Sequence, residues 1–312
     1  MVIKKVAVND ILNFLGKDVL ETRGNIGNRY IDNITNVERV NASSLDWINP
    51  SKSNKQELAE TSPAKVLIVN NDIEFTPELQ EQDKLLIVVT KPKLALMKVL
   101  GRFFTEKPKP FIDPTAFIHP EAIIGNNVYI GPNCYIGKCI IGEGNTIHGN
   151  VHIYDRTVIG NNNVIHAGAV ICVDGLGCVR MPDGVLEEFP QIGGVVIGDN
   201  CYIGANTHIA SGSLSDTIIG NGCKINGMCF IGSNDVLHEN VWITGSTMLA
   251  GSVIVGANTN IFSQVVVRDW CKIGERCTIG MGSVVTKDVP DGETWFGSPA
   301  HKIEKTQNKK SH

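Results

Sequence analysis

The chain has 312 residues, a formal net charge of −4 and 19% charged residues, with a mean hydropathy of +0.02. That length suits two folded domains, and that balance excludes a disordered chain and gives no positive field for nucleic acid or an anionic membrane. No apolar run reaches the length of a bilayer span and "MVIKKVAVNDILNFLGKDVL" lacks the continuous apolar core of a secretory signal, so a cytoplasmic protein without membrane insertion is expected.

Residues 1–107 read as a small α/β domain. "VAVNDILNFLG" has the spacing of an amphipathic helix, "AKVLIVN" and "KLLIVVT" read as buried strands, and "KPKLALMKVLGRFF" reads as a closing helix. "TEKPKPFIDP", with three prolines, then reads as an extended linker that puts the boundary near residue 108.

From there the chain repeats every six residues. Ile112, Ile118, Ile124, Ile130 and Ile136 begin a series that resumes at Ile141 and runs, with interruptions, to Val285. A period of six fits neither a helix nor a long alternating strand. It fits a short strand plus a turn, one aliphatic side chain per side entering a shared interior, so that three sides close one triangular coil. "IGNN", "IGPN", "IGEGN", "IGDN" and "VGAN" supply the Gly and Asn that such corners require. The expected architecture is a β-solenoid over 108–289, followed by a closing loop and tail at 290–312 in which "KTQNKKSH" is the only basic cluster.

Nine cysteines are an odd count with no C-x-x-C pair. Cys134, Cys201, Cys223, Cys271 and Cys277 fall at recurring positions of the repeat and read as core thiols rather than metal ligands, so no metal is expected.

Between Cys172 and Gly194 the repeat lapses. A purely structural solenoid, or an antifreeze-like surface, has no reason to interrupt its own stacking, whereas insertions in solenoids fall on one face, often the binding face. Asp174 and Gln191 are the polar candidates for gripping a ligand there, with Gly175 and Gly177 allowing close backbone approach; the alternative for Asp174 is a turn cap.

"DGLGC" at 174–178, "FPQIGGVVIGDNCYIGANTHIASGSLSDTIIG" at 189–220 and "CKINGMCFIGSN" at 223–234 resemble the N-acyltransferases of lipid A synthesis, which acylate a UDP-3-O-acylglucosamine. The resemblance implies a left-handed parallel β-helix, a homotrimer with clefts between subunits, and a uridine-binding segment at "SLDWINPSK". There Trp47 would stack on uracil and Asn49 would add a polar contact, while the other role open to Trp47 is a core aromatic. No counterpart of a downstream family Tyr stands among Lys52 and Ser53.

The departures point elsewhere. The family's general base, a His, falls at Ser233, followed by a retained Asn at Asn234. A second family His falls at Trp270, and the family's Asp-Arg-Gly reads Ala210-Ser211-Gly212. Gly251 keeps the backbone N–H that would stabilise an oxyanion. The segment "GSVVTKDVPDGETWFGSPAHKI" resembles the ending of coenzyme A-dependent hexapeptide acetyltransferases and leaves no room for the helices that contact acyl carrier protein, so Lys287 and Trp295 are expected to contact the phosphates and adenine of an acyl-CoA co-substrate. Lys287 as an exposed loop charge is the alternative.

Transfer from a thioester to an amine needs a neutral nucleophile and an oxyanion site more than a strong base. His208 and His238 are the imidazoles that could replace the lost base, with His166 a third; each could instead be a surface His on a strand. The expected function is transfer of an acyl group from acyl-CoA to the amino group of a nucleotide-linked amino sugar, with no permanently bound cofactor. The alternatives are an acyl carrier protein-dependent enzyme of lipid A synthesis and an inactive nucleotide-sugar-binding homologue.

Overall fold

The computed structural model describes residues 5–303; the tail "KTQNKKSH" lies outside the described residues. The chain forms two compact units, Met1–Lys107 and Pro108–His312.

In the first unit the apolar runs Val66–Val69 and Leu85–Val89 pair in parallel at the centre of a four-stranded sheet. Leu45–Trp47 adds a parallel edge and Val19–Arg23 an antiparallel one. Both central strands are buried on both faces, which explains why they read as continuous rather than alternating hydrophobic runs. Ile68 and Ile87 share one core with Ile11 of helix α1 (Val8–Leu15), while Leu67 and Leu86 share another with Ala59 of helix α2 (Lys55–Thr61). Lys84 is 2% exposed, and its ammonium donates to the carbonyls of Ala59 (2.6 Å), Glu60 (3.0 Å) and Ser62 (2.7 Å). It thereby satisfies carbonyls that the end of α2 leaves without helical partners.

The second unit is the parallel β-solenoid that the six-residue period implies, with the left hand that the resemblance implies. Strands of two to four residues stack into three sheets of eleven, nine and eight strands, termed here the first, second and third faces. Inward residues meet their counterparts along each face, as in Ile130↔Ile147↔Ile165 on the first and Ile219↔Leu237↔Val255 on the third. All six are buried, each worth roughly 2 kcal/mol when removed from water. Corners use the left-handed backbone region, occupied by Asn at 127, 133, 162, 200, 206, 240 and 258 with φ between 56° and 60° save for 55° at Asn133. Inside the corners, polar ladders replace aliphatic packing: Asn145 Oδ1 accepts from Asn163 N at 2.8 Å, and Asn163 Oδ1 from Cys201 N at 2.6 Å. The five cysteines of the repeat are all buried and free, and burial raises each thiol above its ordinary pKa.

The interruption leaves the solenoid at one corner. Ile171 is still in register on the second face, Cys172 takes φ +65°, and stacking resumes on the third face at Val195, which pairs with Thr157. Between them Cys178–Arg180 and Leu186–Glu188 form an antiparallel hairpin. A shorter excursion, Gly212–Asp216, leaves the next coil at the same corner.

The end of the solenoid differs from the expected closing loop. Thr294–Phe296 is a further strand of the first face, where Trp295 pairs with Ile279, and His301–Lys302 then caps it antiparallel. The register puts Trp295 in the inward column, so an aromatic plug ends the core.

Candidate functional site

The corner between the second and third faces collects Asp174, Gln191, Ser233 and Asn234 of the polar residues singled out in the sequence. Arg156, Asp174, Ser211, Ser233 and Gly251 follow one another along it. Asp174 Oδ1 accepts from Arg156 Nη2 at 2.9 Å and from Ser211 Oγ at 3.1 Å, and Arg156 Nη1 donates to the Gln191 carbonyl at 2.8 Å. One guanidinium thus ties both ends of the hairpin to the solenoid. Gln191 Nε2 donates to the Phe189 carbonyl at 3.0 Å, while its buried Oε1 has no partner among the described residues. Gly175 passes so close to the corner that an added Cβ would lie 2.2 Å from Ser233 Oγ and would force that hydroxyl to turn away.

Asn234 is a scaffold for the second excursion. Its Oδ1 accepts from Ser213 N at 3.0 Å and its Nδ2 donates to Ser215 Oγ at 2.7 Å, from a backbone at φ +65°. Beneath it Asp235 is fully buried, its two oxygens accepting from Gly232 N at 2.7 Å and Val253 N at 2.8 Å. Burial pushes this carboxyl up to about 7 against those two N–H groups.

From this corner a cleft of about 690 Å³ opens onto the third face. Phe189, Gln191 and Gly177 wall it from the hairpin, Ser213–Ser215 and Asn234 from the corner, and Val236, Ile254 and Lys272 form its floor with Ser252 and Trp270 at the side. Those floor residues are consecutive members of one outward column, so the cleft runs along the solenoid axis, about 5 Å per coil. A smaller cleft of about 380 Å³ shares Ile254 and Lys272 and continues past His238 to Asp291.

Models of the bacterial transferase hexapeptide (six repeats) match residues 108–138, 138–172 and 252–287, and the hexapeptide repeat of succinyl-transferase matches 194–227. A UDP-N-acetylglucosamine acyltransferase structure from Bacteroides fragilis is 30% identical with a TM-score of 0.56, covering 62% of this chain and 74% of that one. The chain belongs to the bacterial hexapeptide-repeat transferases. Among curated relatives, a UDP-3-O-acylglucosamine N-acyltransferase from Caulobacter sp. is 37% identical over 148 residues, 47% of this chain and 43% of the relative. One from Coxiella burnetii is 42% identical over 106 residues, 34% of this chain and 31% of the relative. The chain therefore spans less than half the length of these curated relatives.

In this hexapeptide-repeat transferase the imidazoles stand apart from the larger cleft. His208 lies on the second face, its ring stacked on Phe230 at 5.0 Å, and burial lowers its pKa; it lines neither cleft. His166 is stacked between His148 and Tyr202 on the first face. His238 lies at the far edge of the third face and lines only the smaller cleft. Trp295 cannot serve as an adenine platform, because it is 7% exposed in the inward column with its indole N–H bonded to Glu293. Lys287 is exposed and lines neither cleft.

In the first unit Trp47 is partly buried against that unit's own core, opposite Ile68. Asn49 holds a turn, Oδ1 accepting from Ser51 N at 3.1 Å. Gly251, at φ +152°, accepts from Trp270 N at 3.0 Å and precedes the cleft residue Ser252. Sequence reasoning passed over Arg156, Lys272 and the 213–215 excursion as site residues. Counting in coils of 18 residues exposes Lys272, the one charge in the series Ile218, Val236, Ile254, Lys272.

Proposed function

We propose that the larger cleft is the site of an acyl transfer from an acyl-CoA to the amino group of a nucleotide-linked amino sugar. The observation that carries this reading is the chemistry of the lining. Gln191, Ser213, Ser215, Asn234 and Ser252 are neutral, and among the described residues the only ionisable one in the lining is Lys272. With no carboxylate or imidazole among the described residues of the wall, the lining suits an amine better than a hydroxyl acceptor, which needs a base; an amine near the ordinary α-amino pKa of about 7.7–8.0 keeps roughly a tenth to two-thirds of itself neutral over pH 7–8. In the step itself the amine nitrogen bonds to the thioester carbon, the C–S bond breaks, and the proton lost from nitrogen ends on the departing thiolate. Gly251 N–H, one residue before the cleft residue Ser252, is the group assigned to the oxyanion, with Ser233 one coil earlier at the same corner. A homotrimer, with a second copy seated against this face, goes with the reading.

A second reading is acylation of a UDP-3-O-acylglucosamine fed by acyl carrier protein, favoured by the names of the curated relatives and by the aliphatic Val236 and Ile254 in the cleft floor. Thiol release from acetyl-CoA and 3-hydroxybutyryl-CoA, with a panel of UDP- and dTDP-linked 3-amino and 4-amino sugars, separates the two. Turnover with any of these supports the first reading. Silence there with activity from an acyl carrier protein thioester on UDP-3-O-acylglucosamine supports the second, and silence with both donors leaves a binding protein.

A further inference from the structure

Trp270 is anomalous twice. It holds a left-handed corner at φ +63°, where the same corner one and two coils earlier has Ser252 and Asn234; Arg156, Met228, Gln264 and Arg276 also bring long side chains into this region, but Trp270 is the one aromatic to do so among the described residues. It also leaves 74% of its surface exposed, against 7% for Trp295. A corner that Asn fills comfortably is thus given to a large aromatic that packs into no core, at the side of the 690 Å³ cleft. Two residues on, Lys272 breaks an aliphatic column with a cation. Its backbone N–H is bonded to Asp288, and its ammonium has no salt-bridge partner among the described residues. Both residues line the same cleft, and Lys272 is also the link to the smaller one.

We infer that Trp270 and Lys272 form a nucleotide subsite, the indole face stacking on a nucleobase and the ammonium meeting its phosphates. A flat ring with a nearby cation matches a ligand with a flat base and an anionic tail, and stacking on an aromatic tolerates any base. The base is therefore either the adenine of the thioester donor or the base of the sugar nucleotide, and the subsite orients that substrate along the axial cleft. Its place in catalysis rests on the transferase reading above; binding itself does not.

The test is titration of the full-length protein with ADP, coenzyme A and UDP, followed by tryptophan fluorescence and calorimetry, with Trp270→Asn and Lys272→Met beside the wild type. Trp270→Asn restores the residue that suits this corner, so its Tm should rise or hold while affinity for the bound nucleotide falls about tenfold or more. Lys272→Met should weaken binding about three- to fivefold and flatten its dependence on salt. Tightest binding of ADP and coenzyme A assigns the subsite to the donor, and tightest binding of UDP assigns it to the acceptor. No nucleotide binding by the wild type, or affinity unchanged in Trp270→Asn, overturns the inference; so does loss of oligomerisation in that variant, which would make Trp270 an interface residue. Turnover in the thiol assay with nucleotide affinity unchanged in Trp270→Asn fells only this inference, whereas binding lost in the variant with no wild-type turnover fells only the proposed activity.

Discussion

At the residue scale the most consequential group is Asp235, a carboxyl inside a column otherwise filled by Thr217 and Val253. Its pKa of about 7 lies above the unfolded value, so between roughly pH 4 and 7 the native state keeps a proton that the unfolded chain has lost. The group's contribution is complete below pH 4, and stability falls as pH rises through 7. Thermal unfolding at a series of pH values should show that decline in the wild type and a flatter profile in Asp235→Asn, which cannot ionise. The variant should also be less stable at low pH, because its amide nitrogen turns a donor toward one of the two backbone N–H groups that Asp235 accepts. Equal slopes in the two proteins would remove Asp235 from the account. None of this was legible in "GSNDVLHEN", where Asp235 reads as an ordinary corner residue. Asp174 and Gln191 stand out in the sequence because they lie in an interruption, whereas Trp295 misled because an aromatic near the end of a repeat points in or out according to a register that only stacking reveals.

At the scale of elements the strict hexad made the solenoid legible, since one inward aliphatic per side is both the repeat and the core. The first unit was legible where strands are buried on both faces and less so at α2, whose end depends on Lys84, a residue outside its own sequence. That the chain leaves the solenoid here could be read from the lapse in the repeat, but neither the hairpin nor its attachment could, because Arg156 lies a full coil earlier. That attachment is exposed and small, and a two-stranded hairpin is marginal on its own. Arg156→Ala should therefore leave Tm within about 2 °C of the wild type while limited proteolysis between residues 178 and 188 speeds up several-fold. Because the hairpin supplies Gly177, Phe189 and Gln191 to the cleft, kcat/KM should fall about tenfold with it. Unchanged proteolysis would mean that the hairpin is held by something other than this guanidinium.

At the scale of the whole molecule the outward columns pose the remaining question. On the third face Ile123, Ile140, Val158 and Ile218 are all exposed, and Ile123, Ile140 and Val158 stack directly on one another through paired strands. Val196 then joins Val158 to Ile218, so the column forms one apolar strip. Contiguous apolar strips on a soluble surface mark interaction sites, and a second copy of the chain presents a matching one. With the homotrimer that goes with the proposed function, sedimentation should find a species about three times the 33.8 kDa chain mass, and Ile140→Glu with Val158→Glu should dissociate it without disturbing the inward Ile141 and Ile159. The same column continues through Val236 and Ile254 into the cleft floor, so a copy seated on the strip borders the site, and dissociation should lower kcat/KM as well as mass. A monomeric wild type at micromolar concentration would sink the oligomer. Full activity per chain in the dissociated double variant would instead show that one chain completes the cleft alone.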